Sequence, residues 1–286
     1  MFIPRKILEQ KLVGLLTEDV GQGDVTVAAV VPQGLNAKAE IIAKAQGTIA
    51  GIEEATVLAE YLGLKVENQI VDGQEAKVGQ RIMLFSGDAR TILTLERTIL
   101  NRISRMSGIA SATKELVIKI RKAKLKTRIA GTRKTALGLM YFDKKAICIG
   151  GGDTHRLHMD DMVLIKDNHL VLAGSIQNAL EQAKKNTSFS KKIEVEVNKA
   201  SDALKAAQLG ADIIMLDNFS SKQVKETIRL LKKEGFFGKI TIEASGGITQ
   251  ENLIEYASTG VDLISLGFLT NSVKALDISL EIIKVI

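Results

Sequence analysis

Residues 193–217 read IEVEVNKASDALKAAQLGADIIMLD, and this stretch decides the fold. Ile193–Val197 is a short β-branched run, Ser201–Gln208 has helical spacing, Gly210 supplies a turn, and Ile213–Leu216 is a second apolar run. Strand, helix and strand in so short a span predict two parallel strands joined by a right-handed crossover. The same alternation extends both ways from residue 126 onward. Further strands are expected at Lys126–Ala130, Met162–Lys166, Ile240–Glu243 and Leu263–Leu266, and further helices at Ser175–Lys185, Ser220–Lys233 and Gln250–Ser258. Ser175, Ser201, Ser220 and Thr249 stand where an N-cap oxygen would take a free N–H, and Gly210 and Gly260 where a helix turns into a strand. The strands are apolar on both faces, so helices should cover them, as in an α/β barrel or an open α/β sheet.

The first hundred residues lack this repetition. Ala37–Ala45, Lys65–Ile70 and Arg81–Leu84 read as strands, Glu53–Tyr61 as a helix, and Asp72-Gly73 and Ser86-Gly87-Asp88 as turns. Two long helices are expected at Ala89–Met106 and Ile109–Ala123, with a domain boundary near residues 105–110. Ile92, Leu95, Ile99, Leu100 and Ile103 form an apolar arc on the first, with Glu96 inside it and Arg97 at its edge. A charged pair there is costly unless partnered, so it should meet another domain or chain, unless Arg97 simply snorkels to water.

The chain has 286 residues, 45% hydrophobic and 25% charged, which suits a globular protein and not a disordered or collagen-like one. No stretch approaches the roughly 20 apolar residues of a membrane span, and charges at Lys11, Glu18 and Asp19 argue against a signal peptide. The single cysteine, Cys148, allows no intrachain disulfide, which suits a reduced, cytoplasmic protein. A net charge of +6 with 4% aromatics and no tryptophan fits a small anionic ligand better than nucleic acid.

Polar residues recur at the C-terminal ends of the expected strands, where α/β barrels place their active sites. They are Gly131-Thr132-Arg133-Lys134-Thr135, Lys166-Asp167-Asn168-His169, Glu196, Asp217-Asn218, Ser245-Gly246-Gly247 and Ser265-Leu266-Gly267. Arg133 and Lys134, joined by His155-Arg156 after Gly150-Gly151-Gly152, would meet a ligand with more than one carboxylate or phosphate. Lys166 should present its ammonium to the cavity from a packed stem. Glu196 and Asp217 suit ribose hydroxyls, a hydrated Mg²⁺ or neutralisation of the cations, and Glu194 shares Glu196's face, so the residues alone do not choose between those two glutamates. Ser245-Gly246-Gly247-Ile248-Thr249 and Ser265-Leu266-Gly267 are glycine turns in the last two strand–helix positions, a common phosphate site. The three histidines, His155, His158 and His169, lack zinc spacing, and no nucleophile motif stands out. Cys148 reads as packed, and Gln22-Gly23-Asp24 as a turn.

Taken together, the chain resembles the quinolinate phosphoribosyltransferases, the carboxylating nicotinate-nucleotide pyrophosphorylases. The likeness runs through Glu18–Asp24, Leu95–Asn101, Ser107–Ala110, Thr132–Thr135, Gly150–Gly152, His155-Arg156, Leu164–His169 (LIKDNH), Glu194–Val197 (EVEV), Leu216–Phe219 (LDNF), Glu243–Thr249 (EASGGIT) and Ser265–Gly267. GGGDTHR has the wording of archaeal members. The resemblance implies an N-terminal α/β sandwich over 1–107, joined by the tail 270–286, and an incomplete α/β, TIM-like barrel over 108–269. It implies a homodimer, or an assembly of dimers, in which Arg97 reaches the neighbouring site. Arg97, Arg133, Lys134, His155 and Arg156 would grip the two carboxylates of quinolinate. Lys166, Glu196 and Asp217 would hold the ribose-diphosphate end of phosphoribosyl pyrophosphate with Mg²⁺, and Ser245, Gly246, Gly247, Ser265 and Gly267 its phosphate. Lys134, Lys166, Glu196 and Asp217 would be the catalytic set.

The implied reaction converts quinolinate and phosphoribosyl pyrophosphate to nicotinate mononucleotide, pyrophosphate and CO₂, in NAD biosynthesis. Rival readings are a molybdenum-associated phosphoribosyltransferase relative, against which LIKDNH and EVEV speak, nicotinate itself as acceptor, and a non-catalytic phosphate-ligand sensor. Leu137, Met140 and His158 depart from the family pattern, where proline, arginine and glycine are usual.

Overall fold

Alternation builds the first sheet. Along β1 (Asn36–Ala43) the side chains of Ala37, Ala39, Ile41 and Ala43 are buried while their neighbours face outward. The structure, a computed structural model, describes residues 3–286. Two helices, α1 (Arg5–Val20) and α2 (Val25–Val30), precede β1, and Asp24 caps α2 by accepting the Val27 N–H at 2.9 Å. Then follow β2 (Gly47–Thr48), α3 (Ile52–Tyr61), β3 (Lys65–Asn68), β4 (Glu75–Ala76) and β5 (Arg81–Asp88). The start of α3 is held from elsewhere in the chain, because Asp72 Oδ1 accepts the N–H groups of Gly51 and Ile52 at 2.9 and 3.0 Å. The expected turn at Ser86-Gly87-Asp88 is instead the end of β5, and Asp88 then caps the next helix by accepting the Thr91 N–H at 2.8 Å.

That helix, α4 (Ala89–Lys122), is unbroken where two helices were expected. Ser107 and Gly108 are a contact patch within it. The Ser107 hydroxyl accepts the Ala50 N–H at 3.0 Å, Ser111 accepts that of Thr48 at 2.8 Å, and a Cβ on Gly108 would collide with the Lys274 carbonyl. The helix pays the cost of an interior glycine because no other residue lets the chain at 274–275 pass so closely. The apolar arc expected on α4 is buried, from Ile92 at 1% exposure to Ile103 at 0%.

The second half follows the strand–helix rhythm: β6 (Arg128–Ala130), α5 (Met140–Ile149), β7 (Val163–Ile165), α6 (Asp167–Ala173), α7 (Ile176–Asn186), β8 (Ile193–Val197), α8 (Ala200–Gln208), β9 (Ile213–Asp217), α9 (Ser221–Lys233), β10 (Thr241–Ser245), α10 (Leu253–Ala257), β11 (Leu263–Ser265) and α11 (Phe268–Asn271). Six parallel strands pair in the order β6-β11-β10-β9-β8-β7, so the first strand lies beside the last, as in a curled and incomplete barrel. Ser175 and Ser220 cap α7 and α9 as expected. Ser201 and Thr249 do not: α8 already starts at Ala200, and α10 starts only at Leu253, with the Thr249 N–H donating to Asn252 Oδ1. The helices α5 and α6 were not expected. Two adjacent buried lysines mask the amphipathic pattern of the first, and the second spans under two turns.

The last strand, β12 (Ile278–Val285), pairs antiparallel with β1, giving a sheet of order β12-β1-β5-β3. Two units result, residues 1–114, 145–151 and 272–286 in one, and 115–144 and 152–271 in the other. No helix among the described residues is long and apolar enough to cross a membrane.

Gly108→Ala should lower stability by about 2 kcal/mol through overpacking against the 274–275 backbone. Gly14→Ala, inside α1 with open space around it, should raise it by roughly 0.5–1 kcal/mol. Urea midpoints with unchanged slopes check both; a neutral Gly108→Ala would refute the close-contact reading.

Candidate active site

In a parallel sheet, laterally paired residues point the same way, so register arranges the inner face in layers. Glu196, Met215 and Glu243 form one layer, since Met215 pairs with both glutamates. Asp217, Ser245 and Ser265 form the next one toward the mouth. Glu194, two residues before Glu196, lies deeper and is fully buried. The choice left open by the sequence thus resolves: Glu196 lines the mouth and Glu194 lies below it.

Above these layers is a cavity of about 470 Å³. Arg133, Lys134, His155, Arg156, Lys166, Glu196, Asp217, Ser245, Gly246, Gly247 and Ser265 all line it. Gly267 does not. It backs Lys134, whose Cδ lies 3.4 Å from where a Gly267 Cβ would stand. Arg97 does not line it either; its side chain is two-thirds exposed and lies 3.8 Å from Glu96. Within one chain the pair therefore does not lie on a buried face.

One half of the cavity is an ordered acid–base rim. Lys166 Nζ donates to Glu196 Oε2 at 2.7 Å, and the Lys166 N–H donates to His169 Nδ1 at 2.9 Å as α6 begins. Asn218 Nδ2 donates to Asp217 Oδ2 at 2.6 Å. Burial and the nearby charge of Glu196 push the Asp217 carboxyl up, against the pull of Lys166, Lys134 and Asn218. Asn218 is left-handed, φ 57°, and a Cβ on Gly246 would strike its side-chain amide. Gly246 itself has φ 85°, so the glycine turn is required both by its backbone and by Asn218.

Arg133, Lys134, His155 and Arg156 also line the cavity, and hydrogen bonds tie down their loops. Asp153 bridges to Ala130: the Gly131 N–H donates to the Asp153 carbonyl at 3.0 Å, and the Asp153 N–H to the Ile129 carbonyl at 2.7 Å. Thr270 Oγ1 donates to the Lys134 carbonyl at 2.7 Å. Lys144, fully buried on α5, donates to the Thr154 carbonyl; burial lowers its pKa to about 8, with Arg133 and Arg156 adding to the effect and Asp153 and Glu243 opposing it. Burial and the neighbouring Arg133 also lower the pKa of Arg156. His155 Nε2 lies 3.0 Å from Glu243 Oε2 and 3.4 Å from Glu194 Oε2.

Glu243 and Lys144 were not among the residues expected here, and Asn218 was expected at the mouth without a role. Glu243 was findable, since period two places it on the face of Ser245. Lys144 was not, because an alternating pattern of apolar strands gives no sign of a helical lysine turned inward. Among the described residues, two clusters have donor atoms within 4.8 Å of one another, His155 with the buried Glu194 and Glu243, and the exposed His158, Asp160 and Asp161. Lys144 and Arg156, charged neighbours of the first, oppose a cation there.

Comparison with known proteins identifies the family. Residues 24–107 match the quinolinate phosphoribosyl transferase N-terminal domain, and 109–281 its C-terminal domain. A probable nicotinate-nucleotide pyrophosphorylase [carboxylating] of Methanocaldococcus jannaschii is 44% identical, covering 98% of this chain and 97% of that protein. The nicotinate-nucleotide pyrophosphorylase [carboxylating] of Rattus norvegicus is 36% identical, covering 89% and 85%. The solved structure of the Francisella tularensis nicotinate-nucleotide pyrophosphorylase superposes with a TM-score of 0.89 at 35% identity, covering 99% of this chain and 98% of that one. Matched along both of its halves, the chain belongs to the quinolinate phosphoribosyl transferase family.

Proposed function

We propose that this chain transfers the phosphoribosyl group of phosphoribosyl pyrophosphate to quinolinate with loss of CO₂, giving nicotinate mononucleotide and pyrophosphate in NAD biosynthesis. One observation carries the reading: a single cavity joins a cationic end, Arg133, Lys134 and Arg156, to a Lys166–Glu196 and Asp217 rim beside the Ser245-Gly246-Gly247 turn. A dicarboxylate suits the first part, and a phosphorylated sugar the second.

The chemistry needs no protein nucleophile. The quinolinate ring nitrogen attacks the ribose C1 as pyrophosphate leaves, and the resulting pyridinium then stabilises the electron pair released when the adjacent carboxylate departs as CO₂. The protein contributes by holding two anions in one orientation, which offsets their repulsion and the entropy of bringing them together. Glu196 and Asp217 fit a Mg²⁺ ion, since their charges oppose one another and a divalent cation would relieve that. When bound, Mg²⁺ neutralises charge on the diphosphate leaving group. Lys166 holds Glu196, and Asn218 holds Asp217, so that both face the ribose. Lys134, anchored through its carbonyl by Thr270 and backed by Gly267, extends to the join between the two substrates. Arg97, exposed on α4, suits a role in a second subunit's site, with the pair of chains as the working unit.

Incubating the protein with Mg²⁺, phosphoribosyl pyrophosphate and quinolinate should release pyrophosphate and CO₂, whereas nicotinate should yield no CO₂; failure with quinolinate would sink the proposal. Arg133→Ala should raise the quinolinate KM by about ten- to a hundredfold, the worth of a charge-assisted hydrogen bond. Mixing inactive Arg97→Ala and Lys166→Ala chains should restore about a quarter of wild-type activity, because a hybrid dimer keeps one intact site; no recovery would place Arg97 outside the partner's site. Lys144 binds its proton less tightly folded, at about 8, than at its ordinary value of 10.5. Between those values the unfolded chain holds a proton that the native one has lost, so stability from this group rises with pH, by up to about 3 kcal/mol. Urea titrations of wild type and Lys144→Met across that interval should show the rise only in wild type.

A further inference from the structure

His155 is held at its backbone and at both ring nitrogens, which leaves no ring nitrogen for a ligand. Its backbone is left-handed, φ 52°, a conformation costly outside glycine unless the surroundings enforce it. They do so here. Asp153 Oδ1 accepts the His155 N–H at 2.8 Å, and Lys144 donates to the neighbouring Thr154 carbonyl. The ring is fixed at both ends. Its Nδ1 accepts the backbone N–H of Arg156 at 2.8 Å, and its Nε2 faces Glu243 Oε2 at 3.0 Å. A nitrogen that accepts an N–H carries a lone pair, so the ring hydrogen lies on Nε2, directed at Glu243.

The charged groups gathered here are Glu194 from β8, Glu243 from β10, Arg133 after β6, Lys144 from α5, and Asp153 and Arg156 from the loop itself. Burial disfavours a charged ring, while the two glutamates beside it favour one. A second ring proton, however, would have to sit on Nδ1, against the Arg156 N–H. The hydrogen bond from the Arg156 N–H therefore keeps that position empty.

We propose that His155 does not grip a substrate carboxylate itself but is a positioning residue: seated on Glu243, it holds the Arg156 backbone and so aims the Arg156 guanidinium into the mouth. The family resemblance implied the opposite, with His155 among the direct ligands. The inference rests on the phosphoribosyl-transfer reading only for which anion Arg156 meets.

Two measurements test it. With ring-¹⁵N histidine, and the signal assigned by its loss in His155→Asn, the free protein should show one protonated nitrogen and one lone-pair nitrogen coupled to the Arg156 amide, unchanged on adding quinolinate. A doubly protonated ring, before or after quinolinate, would overturn the proposal. In kinetics, Glu243→Gln keeps a neutral acceptor and should raise the quinolinate KM no more than about threefold, while Glu243→Leu removes the acceptor and should raise it about thirtyfold, with kcat moving far less in both. Equal damage from the two variants would mean that the charge given to the ring is what matters, and no damage from either would remove the positioning role; both results count against us. Should Glu243→Leu not fold, Glu243→Gln and the nitrogen signals still decide. Failure of the functional reading would appear separately, as absent turnover by wild type, with the nitrogen signals still interpretable.

Discussion

Two carboxylates buried inside a parallel sheet govern the rest of the site. Glu194 and Glu243 are fully buried, and three of their oxygens have no hydrogen-bond partner among the described residues. Such groups cost several kcal/mol unless charge or hydrogen bonds compensate them. The neighbouring strands give these three oxygens no hydrogen bond, so compensation comes from outside the sheet. His155 and Arg156 approach on the loop after Gly150-Gly151-Gly152, and Lys144 enters from α5. The left-handed His155 and the Asp153 anchor are consequences of bringing a ring down onto that pair. In the layer of Glu243, above Glu194, the same need is met simply for Glu196 by its bond to Lys166.

This arrangement separates charge along the cavity. Buried Glu194 and Glu243 lie at its floor, and Arg133, Lys134, Arg156 and Lys166 line it with positive charge. The glycine turn also acquires a second reason. Gly246 reads as a place for a phosphate to approach the backbone closely, yet the space above it is taken up by the Asn218 amide, which at the same time fixes Asp217. Close approach at Gly246 thus serves the carboxylate rim as much as an anion. A reaction between two anions with no covalent intermediate depends on such fixed geometry more than on any single reactive side chain.

Much of this was legible in the sequence, for definite reasons. Apolar runs such as Ile193–Val197 and Ile213–Leu216 announced parallel strands, and polar residues at their ends announced the mouth, because strand direction puts those ends together. Period two linked Glu194 to Glu196 without ranking them; depth in the barrel ranks them, and depth is a property of register between strands. The unbroken α4 escaped because Ser107-Gly108 has the composition of a helix break, while its true partners, Ala50 and the 274–275 backbone, are distant in sequence. Lys144 escaped for a related reason. A lysine's long stem lets it serve as surface or core, and only its neighbours decide which.

The three departures from the family pattern take on a different weight once they are located. Leu137 is fully exposed, Met140 begins α5 without lining the cavity, and His158 is exposed with its N–H on Asp161 at 2.9 Å. None removes a lining cation, so the positive end of the cavity still rests on Arg133, Lys134 and Arg156. An arginine at position 140 would lie one helical turn from Lys144, whose buried charge is already opposed by Arg133 and Arg156. Adding a further cation there would increase that repulsion. Methionine at 140 is therefore consistent with a site whose charge is set by the buried lysine and the loop arginines, and it touches the shape of the loop ahead of α5 more than the chemistry of the mouth.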